Sequence, residues 1–446
     1  MQAMEVDTDS HHLERKQADY KGQDERYLLR MQRYRGQQYS HLYYFRLHKF
    51  REILNTLIQK RWPNLPSCTI LGLEDGKECI IVGTVYKQMQ LKPSVLDEYS
   101  KERSVTPIAQ PHNFMHPDDY LILEDDSGRV KLTGNVLSPS MYVTGVVAAL
   151  HGKEGSDGDF YVQSILEAGL PPQHPLHSGY SLKDNKYIVL VSGLMVGSMK
   201  SNPLQFQLLV DYVTGHSGDE QEQSMAAQIV RVIIAGDSVD MQQSLLAGQS
   251  LGLKEQRRLA EPIKELDLAL TQLAAAMPVD IMPGPNDPAN FSLPQQPLHK
   301  CLFSGASAYN TFVSATNPHQ FDLDGVCFLG TSGQNIDDLG KYSDAKEKLD
   351  YMERTLKWRH LAPTAPDTLG CYPFTDRDPF VIEDCPHVYF CGNQKKYASR
   401  LLEGSEGQVV RLVCIPSFCE TGSAVVVNIR NLECHLLTLS TSSLVG

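Results

Sequence analysis

No stretch of the sequence approaches the roughly 20 consecutive apolar residues that a transmembrane helix needs, so we expect no such helix. The ten cysteines include no C-x-x-C pair, and their scattered positions exclude a zinc knuckle. We interpret them as reduced, mostly buried thiols, which are typical of proteins of the cytosol or nucleus. The polar, acidic N-terminus lacks an apolar segment, so we expect no signal peptide.

An excess of positive charge is also absent, because the formal net charge is −12. This balance argues against broad, sequence-independent contact with nucleic acid, which needs many cations facing phosphates. Residues 26–61 differ, since they carry nine Lys or Arg against one acid, Glu52. The same segment has the apolar spacing of one helix face, at Tyr43, Leu47, Phe50, Leu54 and Leu57. We predict an amphipathic helix whose charges face water. The alternative is that this basic helix binds single-stranded DNA together with the barrel described next.

Turn residues and hydrophobic periodicity divide the chain into five segments. Residues 67–166 show short strands with internal glycines, a pattern typical of a small curved barrel such as an OB-fold. Its loops are acidic and its strands contain few aromatic residues, so we expect it to dock protein. Residues 184–446 alternate strands and helices, which indicates an α/β sandwich. The other segments are a disordered N-terminal tail at 1–25, an amphipathic helical segment at 26–66 and a linker at 167–183.

Apolar runs predict several strands in the sandwich segment, among them 206–215, 229–237 and 279–284. A helix is predicted before the last of these, with one apolar face formed by Leu259, Ile263, Leu266, Leu270, Leu273 and Met277. Pro262 falls inside that pattern, so we expect the helix to begin or kink there.

One strand end has the form of a metal-binding motif. The stretch VRVIIAGDSVD, Val230 to Asp240, is an apolar β-branched run that ends in Gly236 and Asp237. In a two-metal phosphoesterase, such a strand end presents a carboxylate that bridges two cations. Taken alone, Gly-Asp after a strand more often forms a plain turn. The motif leaves both interpretations open.

Long motifs carry a resemblance to a known family over most of the chain. They are MHPDDYLILED (115–125), LPQQPLH (293–299), FLGTSGQN (328–335), PTAPDTLGCYPF (363–374) and CPHVYFCGN (385–393). In these motifs the chain resembles the small accessory, or B, subunits of DNA polymerase delta. The resemblance implies a multidomain α+β and α/β fold class, in which an OB-fold β-barrel is joined to a calcineurin-like phosphoesterase α/β sandwich.

The resemblance also identifies the positions at which active phosphoesterases hold their metals. Active members have Asp-x-His after the first strand, where this sequence has Gly193 and Met195. Glycine has no side chain, and a thioether is a poor ligand for Mg²⁺ or Mn²⁺. The second motif keeps Asp237, with Asp240 behind it.

The later motifs lack their histidines. Asn286 stands in the Gly-Asn-His motif, and Ser332 stands where a single later histidine is expected. Asn393 and Lys395 replace both imidazoles of the final Gly-His-x-His motif, and Lys395 would bring positive charge toward the pocket. We therefore predict a degenerate pocket with no metal, no cofactor and no catalytic residue.

An alternative is a residual metal-dependent phosphodiesterase or nuclease that uses Asp237 and Asp240. It requires substitute ligands, for which His387 and His299 are the candidates. A single histidine beside a strand is more often a structural residue. By resemblance, archaeal relatives with such activity keep the histidines that are missing here.

The resemblance implies a non-catalytic scaffold in the nucleus that acts in DNA replication and repair synthesis. We expect it to bridge the C-terminal cysteine-rich module of the polymerase delta catalytic subunit to a third accessory subunit, which links to the sliding clamp. DNA contact is expected to be indirect or weak, and no membrane contact is expected. The proline-rich segments 293–303 and 363–374 are either partner surfaces or internally packed.

Overall fold

The computed structural model describes residues 13–29, 36–93, 113–176, 184–241 and 253–440. Their strands, numbered here in chain order, form three six-stranded sheets, of which one makes a barrel and two make a sandwich. In these ranges no helix combines the length and the apolar character needed to cross a bilayer. All ten cysteines are free thiols, as the sequence predicted.

The barrel lies in the segment that the sequence predicted as an OB-fold. Its strands are β2 (Ser67–Cys68), β3 (Glu78–Gln88), β4 (Tyr120–Glu124), β5 (Arg129–Thr133), β6 (Val147–Glu154) and β7 (Phe160–Leu166). The order is β2-β3-β4-β5-β7-β6, and antiparallel pairing of β3 with β6 closes the sheet. In the β4–β5 turn, the Asp125 carboxylate accepts from the N–H groups of Ser127 (2.7 Å) and Gly128 (3.0 Å).

The sandwich consists of two mixed sheets around a shared core that includes Ile188, Ile233, Phe328 and Phe390. One sheet, ordered β1-β12-β13-β14-β16-β15, contains β1 (Tyr20–Gly22), β12 (His319–Leu323), β13 (Val326–Thr331), β14 (Val388–Gln394), β15 (Ala398–Glu403) and β16 (Val409–Pro416). The other, ordered β11-β10-β9-β8-β17-β18, contains β8 (Tyr187–Val191), β9 (Ile229–Ala235), β10 (Val279–Met282), β11 (Phe312–Ser314), β17 (Ser423–Asn428) and β18 (Cys434–Thr438).

Helices cover the outer faces of both sheets. The α-helices are Tyr39–Arg61, Pro203–Thr214, Glu220–Ala226, Leu253–Ala276, Gln334–Tyr342, Lys348–Lys357 and Phe418–Thr421. Short 3₁₀ helices lie at Asp24–Tyr27, Ile70–Gly72, Lys300–Leu302 and Ala306–Ala308. The first helix is amphipathic, as predicted, and packs on both the barrel and the sandwich through a cluster that includes Phe50, Leu54, Ile80 and Val381.

The predicted strand at 206–215 is wrong, because this stretch lies in the helix Pro203–Thr214. The Asn202 side chain caps the helix by accepting from two backbone N–H groups, and Pro203 occupies the first turn. Gly215 ends the helix in a left-handed conformation with φ 82°. The residues that cap this segment therefore favour a helix over a strand. The buried face of the helix has helical spacing, at Phe206, Leu209, Val210 and Val213.

Of the two expectations at Pro262, the start of the helix is wrong, because that helix begins at Leu253 and contains the proline; the kink stays a prediction. Burial of Leu266, Leu270 and Leu273 offsets the loss of one backbone hydrogen bond inside the helix.

The predicted disordered tail at 1–25 needs a partial correction. Residues 1–12 lie outside the described ranges, whereas 13–25 have defined structure. Strand β1 pairs antiparallel with β12 and adds an edge strand to the sandwich. The Arg15 guanidinium donates to the carbonyl oxygens of Val213, Ala226 and Ile229 at 2.8–2.9 Å. Composition did not reveal this segment because backbone pairing with a distant edge leaves no local pattern. The other domain boundaries stay a prediction.

A buried charge network holds this N-terminal segment. The two ring nitrogens of His319 contact carboxylates of Asp24 (2.8 Å) and Asp280 (3.3 Å). Asp280 also forms an ion pair with Arg231, whose guanidinium lies 3.5 Å from the centre of the Tyr20 ring. Burial disfavours the imidazolium, but Asp24 and Asp280 outweigh it and raise the pKa of His319 to about 9.

A second buried charge cluster, called here the Arg46 cluster, consists of Arg46, His360 and Asp378. Arg46 Nε donates to the Asp378 carboxylate at 2.7 Å. Its Nη atoms donate to carbonyl oxygens of Gly145 in the barrel (3.3 Å) and of Pro363 (2.9 Å) and Ala365 (2.7 Å) in the sandwich. One fully buried guanidinium thus joins the first helix, the barrel and the sandwich.

His360 in the Arg46 cluster is neutral. Its Nδ1 accepts from the Ala362 N–H at 3.2 Å, so the ring proton is on Nε2, which donates to Asp378 at 2.8 Å. Burial, together with the positive charge of Arg46, lowers the pKa of His360 to about 4. Burial alone would raise the pKa of Asp378, but His360 and Arg46 outweigh it and lower that pKa.

The two proline-rich segments are mainly packed inside the protein. Leu293, Gln295, Leu298 and Phe303 are buried in the first segment. The second segment buries Thr364, Ala365, Cys371 and Phe374. The contacts above, in which Arg46 binds carbonyl groups of 363–365, give the second segment a structural role.

We predict that Arg46→Met destabilises the folded chain by about 3–5 kcal/mol, because it removes one partner of a buried charge pair. The matched control is Arg51→Met, since Arg51 pairs with Asp126 at the surface, where side-chain exposures are 25% and 50%. That change should cost less than about 1 kcal/mol. Urea unfolding measures both values, and equal costs would contradict the assigned role of Arg46.

We also predict that His360 and His319 contribute an acid limb and an alkaline limb, respectively, to the pH dependence of stability. Unfolded His360 gains a proton below the ordinary pKa of 6.5 while the folded residue stays neutral to about 4, so stability falls with decreasing pH in that window. Folded His319 holds its proton to about 9, so stability falls as pH rises from 6.5 through 9. Urea unfolding of His360→Asn and His319→Gln should show a weaker acid limb and a weaker alkaline limb, respectively. Unchanged limbs would contradict the assignment.

Candidate functional site at the strand ends

Loops that follow β8, β9, β10, β13 and β14 meet at one edge of the sandwich. The Gly193 N–H donates to the Gly236 carbonyl at 2.9 Å, and Asn393 Nδ2 donates to the Ser332 carbonyl at 2.8 Å. A Cβ at Gly236 would lie 2.4 Å from Ser332 Cβ. Loops after parallel strands share one edge of a sheet, so the structure brings together most of the positions singled out in the sequence.

Asp237, the carboxylate retained from the metal motif, is closed off by Asn286. The Asn286 backbone N–H donates to Asp237 Oδ1 at 2.9 Å, and Asn286 Nδ2 donates to Oδ2 at 3.1 Å. The Asp237 side chain is buried, and burial raises its pKa, against the hydrogen bonds from Asn286. Both oxygens that would face a cation therefore bind a neighbouring loop.

A second carboxylate, Asp287, was missed in the sequence. It accepts from the N–H groups of Gly284 (2.7 Å), Ser238 (2.9 Å) and Val239 (3.1 Å). Complete burial and the charge of Asp237 raise its pKa to about 7, against those hydrogen bonds. The available signal was its place directly after Asn286 in the motif. Asp287 fixes the loops after β9 and β10, and its oxygens face backbone donors.

Gly193 and Met195 follow β8, where active enzymes carry Asp and His. A Cβ at Gly193 would lie 2.4 Å from Ser417 Oγ and 3.0 Å from Asn393 Oδ1. Met195 Sδ lies 4.0 Å from Asn286 Nδ2. Neighbouring side chains therefore fill the space that a metal ligand at position 193 would need.

Ser332 and Asn393 form further hydrogen bonds across the pocket. Ser332 Oγ donates to the Pro283 carbonyl at 3.0 Å and accepts from Asn317 Nδ2 at 2.7 Å. The Asn393 N–H donates to Ser192 Oγ at 2.9 Å. These polar atoms stabilise the loops and are occupied by protein partners.

Asp240 and Lys395 lie at the margin. Asp240 is half-buried, and its backbone N–H donates to Val196 at 3.0 Å. Lys395 is exposed, and among the described residues it forms no ion pair with Asp237, so the expected positive charge in the pocket is not supported.

His387 and His299 do not contact the pocket residues. His387 Nδ1 accepts from the Cys327 N–H at 2.9 Å, and its Nε2 contacts the His174 carbonyl at 3.0 Å. His299 contacts Cys301. Both histidines have other partners, so the structure does not support either of them as a substitute metal ligand.

The pocket residues do not fit a two-metal centre. Such a centre needs several carboxylate, imidazole or amide donors around two cations. Here one carboxylate, that of Asp237, faces the pocket, and both of its oxygens accept hydrogen bonds from Asn286. Within the described ranges, no group of three or more His, Cys, Asp or Glu side chains has an arrangement that could hold a metal ion.

Four of the six described cations of residues 26–61 have partners elsewhere in the same chain. Arg46 is buried, Lys49 pairs with Glu383 at 2.9 Å, and Arg51 pairs with Asp126. The Arg26 Nη2 donates to the Val381 carbonyl at 2.7 Å. Residues 30–35 lie outside the described ranges. These pairings favour the amphipathic-helix interpretation over the DNA-binding alternative.

Comparisons with known proteins agree with this architecture. A family model described as "DNA polymerase delta subunit OB-fold domain" matches residues 38–165, and a model of the B-subunits of DNA polymerases alpha and epsilon matches residues 188–399. The "DNA polymerase delta small subunit" of Arabidopsis thaliana is 66% identical over 98% of this chain and 99% of that protein. The protein of the same name from Oryza sativa subsp. japonica is 64% identical over 96% and 99%.

The chain belongs to the DNA polymerase delta small-subunit family. The predicted OB-fold is confirmed by that family match, and the predicted α/β sandwich is confirmed by its two mixed sheets; the likeness of this sandwich to calcineurin-like phosphoesterases stays a prediction. Among solved structures, a purple acid phosphatase from yellow lupin seeds aligns with a TM-score of 0.29 and 10% identity, over 66% of this chain and 57% of that chain. That likeness is too weak to carry an argument.

We predict that Gly193→Ala destabilises the chain more than Gly169→Ala, by about 1–3 kcal/mol. Both glycines have positive φ, 64° and 69°, so both variants carry the same backbone cost. A Cβ at Gly169 meets nothing within 4 Å, whereas one at Gly193 meets Ser417 Oγ at 2.4 Å. Thermal unfolding measures the difference, and equal losses would show that the former ligand position is open.

Proposed function

We propose that this chain is a non-catalytic scaffold subunit of the polymerase delta complex, acting in the nucleus during DNA replication and repair synthesis. In this proposal it joins the C-terminal cysteine-rich module of the catalytic subunit to a third subunit, which links to the sliding clamp. The observation that carries the proposal is the occupation of both Asp237 oxygens by Asn286. Because a neighbouring loop binds both oxygens of this carboxylate, the outer surfaces are the better candidates for the functional parts of the protein.

The internal connections of the chain support a scaffold role. A stable interface buries about 1,200–2,000 Å² in total, so each partner needs a large surface on this chain. A subunit that holds two partners must also keep these surfaces in fixed positions. The Arg46 cluster joins the first helix, the barrel and the sandwich through buried hydrogen bonds. Surfaces on the barrel and the sandwich therefore keep a defined relation to each other.

The alternative is a residual phosphodiesterase that uses Asp237 and Asp240. Burial raises the pKa of Asp237, and the charge of Asp240 contributes to this rise. Asp237 binds Asn286, and the candidate substitute ligands His387 and His299 bind other groups. An active site of this class would need at least a second cation ligand within reach of Asp237.

We expect no hydrolysis of an activated phosphodiester or of single-stranded DNA by the purified chain with excess Mn²⁺. The Asp237→Asn variant, purified in the same way, is the matched control, because a contaminating nuclease would act equally in both preparations. Release of product at the same background rate in both preparations is the expected result. Hydrolysis by the wild type that disappears in Asp237→Asn would overturn the proposal.

The bridging role needs a separate experiment. The catalytic subunit and the third subunit are mixed with and without this chain and separated by size-exclusion chromatography. The proposal expects all three to elute together and the two partners to elute apart when the chain is omitted. Association of the two partners without the chain would contradict the bridging role.

A further inference from the structure

A pocket of about 510 Å³ opens between the first helix and the outside of the barrel. We call it the tyrosine pocket, and its lining includes Tyr43, Tyr44, Tyr86, Glu124, Asp125, Asp126, Asp367 and Arg129. Its volume is within the range of roughly 300–1,000 Å³ that ligand pockets occupy. Its lining includes none of the strand-end residues described above. The tyrosine pocket is therefore a separate candidate site.

Three tyrosine rings form the apolar part of the tyrosine pocket. Tyr44 is 50% exposed, and its ring lies 4.3 Å from that of His48. The hydroxyl groups of Tyr43 and Tyr86 form no hydrogen bond with any described residue. Tyr44 is thus exposed and Tyr43 and Tyr86 are half-buried, and tyrosine is enriched among the residues that dominate protein interfaces.

The charged part of the tyrosine pocket is acidic, with four carboxylates against one guanidinium. Three of these carboxylates pair with cations of the same chain: Glu124 with Arg129 at 3.1 Å and Asp126 with Arg51 at the surface, and the half-buried Asp367 with Lys92 at 2.6 Å. Surface pairs of this kind contribute only about 0–1 kcal/mol each. Asp126, the most exposed of the three, contacts Arg51 through one oxygen, so its other oxygen can accept from a cation of a partner.

The protein itself shows how a guanidinium binds here. Arg129 lies 5.8 Å from the centre of the Tyr86 ring and also contacts the Glu124 carboxylate. A cation over an aromatic face gains about 0.5–2 kcal/mol, and arginine is the more frequent donor of that contact. Tyr44 and Asp126, on the same pocket, offer a second ring and a second carboxylate that is 50% exposed.

We propose that the tyrosine pocket binds an arginine side chain of a protein partner. This inference rests on the proposed scaffold function and names the chemistry of one docking contact. Single-stranded nucleic acid also stacks on tyrosine, but its phosphates would lie against four carboxylates. The charge of the lining therefore favours a cationic protein segment.

The test compares binding of purified catalytic subunit and of purified third subunit to the chain and its variants. Tyr44→Ala and Asp126→Asn alter the pocket. The matched controls are Tyr161→Ala, since Tyr161 is 47% exposed on β7, and Asp159→Asn, since Asp159 pairs with Lys131 at 3.4 Å. Neither control residue lines the pocket. We expect about tenfold weaker binding of one partner by Tyr44→Ala and about threefold by Asp126→Asn, with both controls unchanged.

A second measurement identifies the ligand chemistry. An array of short overlapping peptides from the two partner subunits is probed with the wild-type chain and with Tyr44→Ala. Each peptide that depends on Tyr44 is made again with citrulline in place of arginine, which removes the charge and keeps the shape. The expected result is loss of binding with citrulline.

Three results would overturn the inference. They are full partner binding by Tyr44→Ala, Tyr44-dependent peptides that bind equally well with citrulline, and Tyr44-dependent binding of single-stranded DNA in place of peptides. The proposed function is judged separately, by whether the wild-type chain binds its partners. Binding by the wild type that Tyr44→Ala retains rejects only the arginine pocket, whereas no binding by the wild type rejects both proposals.

Discussion

The contact between Arg46 and Asp378 is the interaction on which the arrangement of the molecule depends. A guanidinium without exposure to water is stable in the interior only when a carboxylate and several acceptors surround it. Here those acceptors come from the barrel and from two stretches of the sandwich. The first helix, which supplies Arg46, therefore helps to fix the barrel against the sandwich, and buried apolar residues of both also pack in one cluster.

The strand-end pocket is held together by hydrogen bonds between its own loops. Met195, Asp237 and Asn393 keep left-handed backbone conformations, with φ of 49°, 54° and 57°. Such conformations in residues other than glycine persist when the surroundings hold them in place. Hydrogen bonds from Asn286 to Asp237 and from backbone donors to Asp287 provide that support. The loops are thus held together by hydrogen bonds within the protein at the positions that the resemblance assigned to metal ligands.

Local patterns in the sequence predicted the elements that local chemistry decides. The β4–β5 hairpin follows from its Asp-Ser-Gly turn, and the first helix from its apolar spacing. The stretch 206–215 was misassigned because a β-branched, apolar run fits both a strand and a buried helix face, and its caps at Asn202 and Gly215 were overlooked. The ordering of 13–25 and the role of Arg46 depend on partners far along the chain, which spacing does not reveal. The same holds for the closure of Asp237, since Asn286 was assigned only as a lost ligand.

The measurement that tests this account most directly is calorimetric titration of the purified chain with Mn²⁺. The account predicts no saturable binding at millimolar metal, and titrations of wild type and Asp237→Asn that cannot be told apart. Saturable binding of one or two Mn²⁺ ions by the wild type, lost in Asp237→Asn, would show that the hydrogen bonds from Asn286 yield to a cation. That result would contradict the claim that the strand-end pocket is closed by the protein itself.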